Sequence, residues 1–261
     1  MDLSLKGKRV LITGGTRGIG LACARLYLQE GARVTLCGRS AASGDAAIAS
    51  LRDAGPVAVH LADLTDAQAA RRMVEQVQAQ QGDIDILVNS AGAAARRPYA
   101  ELDPAAWHAA LDAKFYPYIH VIDPVVKRMA QRGQGAIVNV IGMGGKFPKP
   151  THLAGGSANA ALMLATAGLA LAYAPHGVRI NAVNPSLTVT ERLAEGLKAQ
   201  ARQQGITEEE ALREAASSLP MRRLATAAEI ADAVVYLSSE RASYICGAVL
   251  NVDGAGGAAV V

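Results

Sequence analysis

The sequence has little of what several classes of protein require. Its three cysteines, Cys23, Cys37 and Cys246, are too widely spaced for a disulfide framework or a metal knuckle. No His-Glu-x-x-His occurs either, so we expect no metal. Basic runs interleaved with aromatics are also absent, and the net charge is only +3, so we expect no nucleic-acid partner.

The chain has no long apolar run typical of a membrane protein. The run Ala160–Ala174 is short and rich in alanine, which favours a buried core helix over a membrane span. Met1–Val10 leads into a strand-like segment without the apolar region of a signal peptide. Together with the unpaired cysteines, these features predict a cytoplasmic protein that is not associated with a membrane.

Short β-branched runs alternate with helical stretches along the whole chain. The expected strands are Arg9–Thr13, Arg33–Cys37, Val57–His60, Ile86–Asn89, Ala136–Ile141, Val178–Val183 and Val249–Val252. The expected helices are Ile19–Glu30, Ala46–Ala54, Asp66–Gln81, Pro104–Arg132, Gly156–Ala174 and Ala227–Ser238. Nearly continuous apolar strands that alternate with helices indicate a parallel sheet covered on both faces.

The pattern predicts one α/β domain over residues 1–261, a doubly wound parallel sheet of Rossmann type. No linker or internal repeat divides the chain. The longest excursion, at about 191–223, is polar and helical and follows the carboxyl end of a strand. It is either a mobile lid over a substrate pocket or a surface hairpin without a role in the chemistry.

A glycine-rich turn follows the first expected strand. Thr13-Gly14-Gly15-Thr16-Arg17-Gly18-Ile19-Gly20 leads directly into a helix. Glycines here allow a tight turn and a close approach of backbone to a pyrophosphate, while the helix N-terminus favours negative charge. With the strand before it and the helix after it, the segment predicts a dinucleotide site.

This segment and others further along resemble the short-chain dehydrogenase/reductase family, and the resemblance covers essentially the whole chain. The other matching segments are Asp63-Leu64, Asn89-Ser90-Ala91-Gly92, Pro185-Ser186-Leu187-Thr188-Val189-Thr190, Glu229-Ile230-Ala231 and Val252-Asp253-Gly254. The resemblance and the glycine loop imply that the cofactor is held by Gly14, Thr16, Arg17, Gly18, Ile19, Gly20, Arg39, Asp63, Leu64, Asn89, Ala91, Gly92, Asn159, Pro185 and Thr188. The resemblance further implies a homotetramer with the C-terminal segment at a subunit interface.

The end of the second strand bears on which cofactor is used. An NAD site carries an acidic residue there to bind the adenosine ribose, but this chain has Cys37-Gly38-Arg39. Arg39, with Arg17 from the glycine loop, suits the 2′-phosphate of NADP. We therefore expect NADP(H) in preference to NAD(H). The alternative is that both arginines lie on the surface without a ligand.

A second absence concerns the chemistry. No tyrosine lies between Ile119 and Ala172, and no tyrosine anywhere is followed four residues later by lysine. In the resembled family, a Tyr-x-x-x-Lys pair, a serine and an asparagine carry out proton transfer. Alignment places Gly142 at the serine, Gly155 at the tyrosine, Asn159 at the lysine and Lys114 at the asparagine.

Three residues are candidates to replace the missing set: Lys114, His152 and Asn159. Burial lowers a lysine pKa readily, so Lys114 could supply the cation or the proton. His152 titrates in the right range, and Asn159 could keep a hydrogen bond to the cofactor ribose. Alternatively, Lys114 extends to solvent or pairs with Asp112 or Asp123, and His152 only packs. Gly155 and Gly156 are expected to leave empty the space of a phenol ring.

Two further patterns bear on the substrate and on the reaction class. Arg96, Arg97, Lys146 and Lys149 suit an anionic substrate, such as a carboxylate or a phosphate-bearing thioester, or form a solvated loop. Gly155-Gly156-Ser157-Ala158-Asn159 partly matches a nucleophile elbow, with Ser157 as the nucleophile.

Three hypotheses of function follow. The first is an NADP(H)-dependent oxidoreductase that acts on a small carbonyl or alcohol with a non-standard proton-transfer site. The second is a catalytically silent NADP-binding protein, acting as a sensor or as the partner of a catalytic homologue. The third is a lyase or hydrolase that reuses the pocket without redox chemistry.

Overall fold

The computed structural model describes residues 2–92 and 94–257, which contain nine strands, nine α-helices and four short 3-10 helices. The strands are β1 Arg9–Thr13, β2 Arg33–Gly38, β3 Val57–Leu61, β4 Ile86–Asn89, β5 Gly135–Val140, β6 Val178–Pro185, β7 Thr188–Val189, β8 Ala225–Thr226 and β9 Val249–Val252. The helices are α1 Gly18–Gln29, α2 Ala41–Leu51, α3 Ala67–Gln81, α4 Pro104–Lys114, α5 Tyr116–Arg132, α6 Leu153–Tyr173, α7 Glu191–Gln204, α8 Glu208–Ser217 and α9 Ala227–Ser238.

Seven of the strands form one parallel sheet in the order β3-β2-β1-β4-β5-β6-β9. Helices α1, α2 and α9 bury their apolar sides in the core on one face, and α3, α5 and α6 do so on the other. The strand order reverses between β1 and β4, and ligands of doubly wound sheets bind at this point. The predicted fold class is confirmed: a single doubly wound, Rossmann-type α/β domain.

The helix expected over Pro104–Arg132 is wrong as one unit, because the structure breaks it at Phe115 into α4 and α5. Pro117 explains the break. Pro117 has no backbone N–H to donate to the carbonyl of Ala113, four residues earlier, and its ring collides with that same carbonyl. Lys114 is therefore the last residue of α4, at a bend that turns the chain inward.

Helix α6 begins at Leu153, three residues before the predicted start, so Gly155 and Gly156 lie inside its first turn. Together with the following short turn, the segment Leu153–His176 is long and apolar enough to cross a membrane by length and composition alone. In the structure, 28% of its most apolar 18-residue stretch is buried. A core helix passes the same test. The predicted burial holds for one side of α6 only, since Leu164 and Leu171 on the other side are exposed.

The excursion after β6 contains the helices α7 and α8. The short strands β7 and β8, before and after these helices, pair in parallel, with Thr188 opposite Ala225 and Val189 opposite Thr226. Thr190 caps α7 by accepting a hydrogen bond from the Leu193 N–H, and Thr207 and Glu210 form a capping box on α8. A role for these two helices as a lid stays a prediction.

Candidate active site

The glycine loop lies against the turn that follows β4. Gly14 has a φ of +63°, and a Cβ there would lie 2.8 Å from backbone atoms of Ala91. A Cβ on Gly20 would lie 2.9 Å from the carbonyl carbon of Gly14, so only glycine lets α1 start this close to the loop. Gly18, the first residue of α1, faces Thr190, while the Ile19 side chain packs on the core. The loop and the helix N-terminus thus form a cradle for an anion.

The end of β2 closes one side of this cradle. A Cβ on Gly38 would lie 2.7 Å from the γ-methyl of Thr16, so the two segments are in contact. Arg39 and Arg17 are both exposed beside this contact. The charges of both lower the pKa of Arg192 at the start of α7. The charge of Arg39 also lowers the pKa of Asp63, which follows β3. Four charged side chains from four segments therefore converge here, three of them cationic.

Asn89 has a structural role. Its amide receives a hydrogen bond from the Thr13 hydroxyl at 3.3 Å and donates to Asn139 at 3.0 Å. Asn139 in turn donates to Thr166 in α6 at 3.0 Å. This buried chain of side chains ties β1, β4 and β5 to α6, and it fixes the carboxyl ends of the strands from which the site is built.

The remaining predicted cofactor residues line the same edge. Asp63 accepts hydrogen bonds from the backbone and hydroxyl of Thr65, which lower the pKa of its carboxyl. Leu64 is buried, and its carbonyl accepts from His120 at 2.9 Å. Pro185 ends β6, and Thr188 is buried with its hydroxyl donating to Ser186. Contacts of these residues with a cofactor stay predictions.

Lys114 is buried, with only 7% of its surface exposed. Its Nζ donates to the Tyr118 hydroxyl at 2.8 Å and to the Val140 carbonyl at 3.2 Å, and the Tyr118 hydroxyl donates to the same carbonyl at 2.5 Å. Burial lowers the pKa of the ammonium to about 7, with a further contribution from Arg192. The alternative of a solvent-exposed or paired Lys114 is therefore wrong, and Asp123 pairs with Lys127 instead.

His152 lies beside the position where Gly155 lacks a side chain. A Cβ on Gly155 would stand 2.8 Å from both ring nitrogens, and one on Gly144 would stand 2.9 Å from Cδ2. The space next to Gly155 is therefore not empty, contrary to expectation, because the imidazole fills it. Gly156 has no space beside it either, since a Cβ there would meet the Gly144 carbonyl oxygen at 2.6 Å.

The environment of the imidazole is partly buried and positively charged. Within the described residues, its buried Nδ1 has no hydrogen-bond partner. Burial lowers the pKa of His152, and the charges of Arg96, Lys149 and Lys114 lower it further. The ring is therefore neutral at pH 7, with one nitrogen able to donate a hydrogen bond and the other able to accept one.

Asn159 lies next to His152 in the same pocket. Cβ atoms on Gly142 and on Gly144 would each lie 3.5 Å from its amide nitrogen. The residue is buried, yet its side chain makes no hydrogen bond to any of the residues that the structure describes. Its amide nitrogen and oxygen are not among the fully buried unpaired atoms, so the amide is open to a ligand. The structure therefore brings Asn159, His152 and the two glycines together, with Lys114 close enough to interact with His152 by charge.

Ser157 does not occupy a nucleophile elbow. It lies inside α6, is exposed, and its hydroxyl donates to the Leu153 carbonyl one turn earlier at 3.0 Å. An elbow would require a sharp turn between a strand and a helix, with a free hydroxyl. The structure removes the residue on which the hydrolytic hypothesis depended.

Two residues near the site, Tyr118 and Arg192, were missed by reasoning from sequence, whereas Thr190 was quoted only as the end of a matching segment. Tyr118 holds Lys114, Thr190 faces Gly18, and Arg192 interacts electrostatically with Lys114. Lys114 and Tyr118 are four residues apart, a spacing that would bring them together on the single helix expected from sequence, but here they meet across the break between α4 and α5. Arg192 had no such pattern, because the path of the insertion brings it to the cleft.

Comparison with known proteins identifies the family. Residues 14–256 match the family described as enoyl-(acyl carrier protein) reductase. A curated relative from Sinomonas cyclohexanicum, cis-4-hydroxycyclohexanecarboxylate dehydrogenase, is 34% identical over 246 residues, which is 94% of each chain. The protein belongs to the short-chain dehydrogenase/reductase family. The resemblance inferred from the motifs is confirmed, and the chain is an oxidoreductase of this type.

Solved structures of short-chain dehydrogenases/reductases share the whole fold. L-sorbose reductase from Gluconobacter frateurii, complexed with NADPH and L-sorbose, matches with a TM-score of 0.94 and 29% identity over 100% of both chains. An NAD⁺-bound xylitol dehydrogenase matches with a TM-score of 0.89 and 27% identity, covering 95% of this chain and 98% of the other. Neighbours with either nicotinamide cofactor therefore have this fold.

Proposed function

We propose that the protein is an NADP(H)-dependent oxidoreductase that interconverts a carbonyl and an alcohol through a proton-transfer site without the Tyr-x-x-x-Lys pair. The observation that carries this proposal is the imidazole of His152 beside Gly155, next to the unpartnered amide of Asn159. The glycine loop, which would hold the cofactor phosphates, belongs to the same edge of the sheet. A titratable group thus occupies the space of the residue that this chain lacks.

NADP(H) fits the adenosine end of the cleft better than NAD(H). Arg39 and Arg17 are exposed beside the contact between Thr16 and Gly38, and no acidic residue ends β2. Asp63 already accepts two hydrogen bonds from Thr65. A 2′-phosphate would balance the charge of the arginines, and a guanidinium can bind it with two hydrogen bonds. The NADPH complex of L-sorbose reductase supports this assignment.

The bound nicotinamide would give or accept the hydride, and this chain's residues would handle the proton. Lys114 has a pKa of about 7, so at neutral pH its Nζ both releases and takes up a proton readily. Tyr118 and the Val140 carbonyl fix the position of Nζ. Lys114 therefore serves as the proton source for carbonyl reduction and as the proton acceptor for alcohol oxidation.

His152 and Asn159 orient the reactants in this proposal. The neutral imidazole donates a hydrogen bond to the substrate oxygen, in the space between Gly142 and Gly155 where the family's serine and tyrosine would act. Asn159 donates to the nicotinamide ribose without supplying a charge. Lys114 supplies the charge from the neighbouring helix.

The reaction is tested by mixing the protein with NADPH and a panel of aldehydes, ketones and oxo acids, and following nicotinamide absorbance and product. Lys114→Met and His152→Gln should each lower kcat at least tenfold, since a positioned proton-transfer group contributes about 10²–10⁴ in rate. NADPH affinity, measured by fluorescence, should change little in both. Lys127→Met removes an exposed lysine that pairs with Asp123 on α5 and serves as the matched control.

Other outcomes identify the other hypotheses. Tight NADPH binding without turnover would reject the proposal in favour of a silent sensor or a partner of a catalytic homologue. Product formation without any change in nicotinamide absorbance would indicate a lyase or hydrolase. Unchanged turnover in both variants would reject the assignment of Lys114 and His152. A cytoplasmic location stays a prediction.

A further inference from the structure

The charged groups that act on His152 all have the same sign. Arg96, Lys149 and Lys114 each disfavour its protonation, and no carboxylate appears among the groups that shift it. A substrate pocket bordered by three cations repels positive charge and attracts anions.

Two separate segments bring these cations together. Arg96 precedes α4, in the connection from β4, and Lys149 precedes α6, in the connection from β5. The backbone N–H of Arg97 donates to the carbonyl of Thr151 at 3.0 Å, which joins the two connections next to His152. Both cationic side chains are exposed and form no ion pair with any residue in the described ranges.

Unsatisfied polar groups in the pocket point to a ligand. The Nδ1 of His152 is buried without a partner in the part of the chain that the structure covers. The amide of Asn159 is not fully buried, but it makes no hydrogen bond to a described residue and is therefore open to a ligand; an ideal Cβ on Gly142 would have only that amide nitrogen within 4 Å. Buried donors and acceptors in native proteins are nearly always paired, so a molecule with polar atoms is expected in this space.

The cofactor does not account for these cations. The phosphates would lie near Arg17, Arg39 and Arg192, and the charges of Arg17 and Arg39 both lower the pKa of Arg192. The charges of Arg96 and Lys149 lower the pKa of His152. Neither residue is among those whose charges shift the pKa of Arg192. Lys114 lies between the two groups, because the charge of Arg192 lowers the pKa of Lys114 and the charge of Lys114 lowers the pKa of His152. The cleft thus contains a second cationic group at its substrate end.

We propose that the carbonyl substrate carries an anionic group, a carboxylate or a phosphate, which Arg96 and Lys149 bind while its carbonyl oxygen faces His152. The inference rests on the proposed carbonyl–alcohol chemistry and adds the substrate class. Binding at two points fixes the reacting carbon relative to the nicotinamide, and this positioning contributes to rate as well as to affinity. The two cations are positioning residues, because they lie on the loops rather than at the reacting atoms.

The test compares paired substrates that differ in one charge. Acetoacetate is compared with methyl acetoacetate, and dihydroxyacetone phosphate with dihydroxyacetone, by NADPH oxidation at low ionic strength. At least one anion should exceed its neutral counterpart tenfold in kcat/KM. In Arg96→Gln/Lys149→Gln this ratio should fall towards one, as it should in the wild type at high salt, which screens exposed charges. The pair that responds distinguishes carboxylate from phosphate.

Arg52→Gln is the matched control. Arg52 is exposed after α2, which runs away from the carboxyl edge of the sheet, and its loss changes net charge without touching the pocket. The anion-to-neutral ratio should stay at the wild-type value in this variant. A ratio that falls equally in Arg52→Gln would show an effect of overall charge and overturn the proposal.

Binding is measured separately from turnover. Malonate and inorganic phosphate are titrated calorimetrically into the wild type and both variants in the presence of NADP⁺. At least one anion should bind, and at least fivefold more weakly in Arg96→Gln/Lys149→Gln than in Arg52→Gln. If neutral substrates are reduced as well as anions, the substrate class is wrong while the reaction stands. If nothing is reduced, the reaction is wrong, and the calorimetry alone supports or overturns the anion site.

Discussion

Lys114 at the end of α4 donates a hydrogen bond to Tyr118 in α5, with 2.8 Å between Nζ and the phenol oxygen. The bend at Phe115 places both side chains beneath the carboxyl end of β5, where they share the Val140 carbonyl. The ammonium lies 4.5 Å from the centre of the Tyr118 ring. A buried cation held by a phenol and a carbonyl, instead of a carboxylate, has an unusual response to pH.

The first prediction concerns stability and pH. Burial lowers the pKa of Lys114 from its ordinary value of 10.5 to about 7, so the unfolded chain binds this proton more tightly. Protonation therefore costs the fold roughly 5 kcal/mol below pH 7, and this cost disappears as pH rises towards 10.5. Lys114→Met should raise the free energy of unfolding at pH 6 by denaturant titration, and the gain should shrink by pH 10. A gain independent of pH would contradict the burial argument.

The second prediction tests Tyr118 as a positioning residue. Tyr118→Phe removes the hydroxyl that accepts from Nζ, so the charged form of Lys114 loses a partner and its pKa should fall further. In carbonyl reduction, kcat should begin to decline at a pH about one unit lower than in the wild type. Tyr27→Phe is the control, since it removes a buried hydroxyl bonded to Ser238 on the other face of the sheet. Identical pH profiles would exclude a role for Tyr118.

The third prediction uses two glycines of one helix. In Gly155→Ala the new methyl group meets the imidazole of His152, so the ring must move out of the pocket. Turnover should fall at least tenfold while NADPH binding is retained. Gly168→Ala meets no atom within 4 Å and should be active and more stable by about 0.5–1 kcal/mol, because alanine favours the helix. Equal activities would show that the position of His152 is irrelevant.

The fourth prediction concerns cofactor choice. Arg39→Ala should raise the KM for NADPH by about 10–100-fold, the value of a charge-assisted hydrogen bond to the 2′-phosphate, and leave the KM for NADH nearly unchanged. Arg52→Ala, which removes an exposed arginine after α2, should alter neither value. Steady-state kinetics with both cofactors checks this. A wild type that prefers NADH would reject the assignment of Arg39.

The fifth prediction is that the protein is a homotetramer in solution. Leu164 and Leu171, two turns apart on α6, are 76% and 82% exposed, with only small residues between them on that side. Large apolar groups exposed together on a helix indicate a contact with another chain. Leu164→Glu should lower the mass measured by light scattering. Ile48→Glu, at a partly exposed site on α2, should not. A monomeric wild type would refute the prediction.

The positions of the seven strands of the main sheet could be predicted because each is an apolar run whose period and length leave few alternatives. Helix ends were less accurate. Helix α2 starts at Ala41 because Ser40 caps it by accepting from the Ser43 N–H, and α6 starts at Leu153 before two glycines that weaken any helix signal. The starts of these helices depend on local hydrogen bonds and on glycines, which the hydrophobic periodicity of the sequence does not show.

The sequence by itself determined the family, the glycine-rich loop expected to hold a dinucleotide and the absence of a Tyr-x-x-x-Lys pair, since these are properties of residues close together in the chain. Only the tertiary structure decided what surrounds the candidate residues. Lys114 is buried against Tyr118, and His152 fills the space beside Gly155, because the bend at Phe115 and the early start of α6 bring them inward. Burial and charge from distant segments then set the pKa of each group, and no local pattern contains that information.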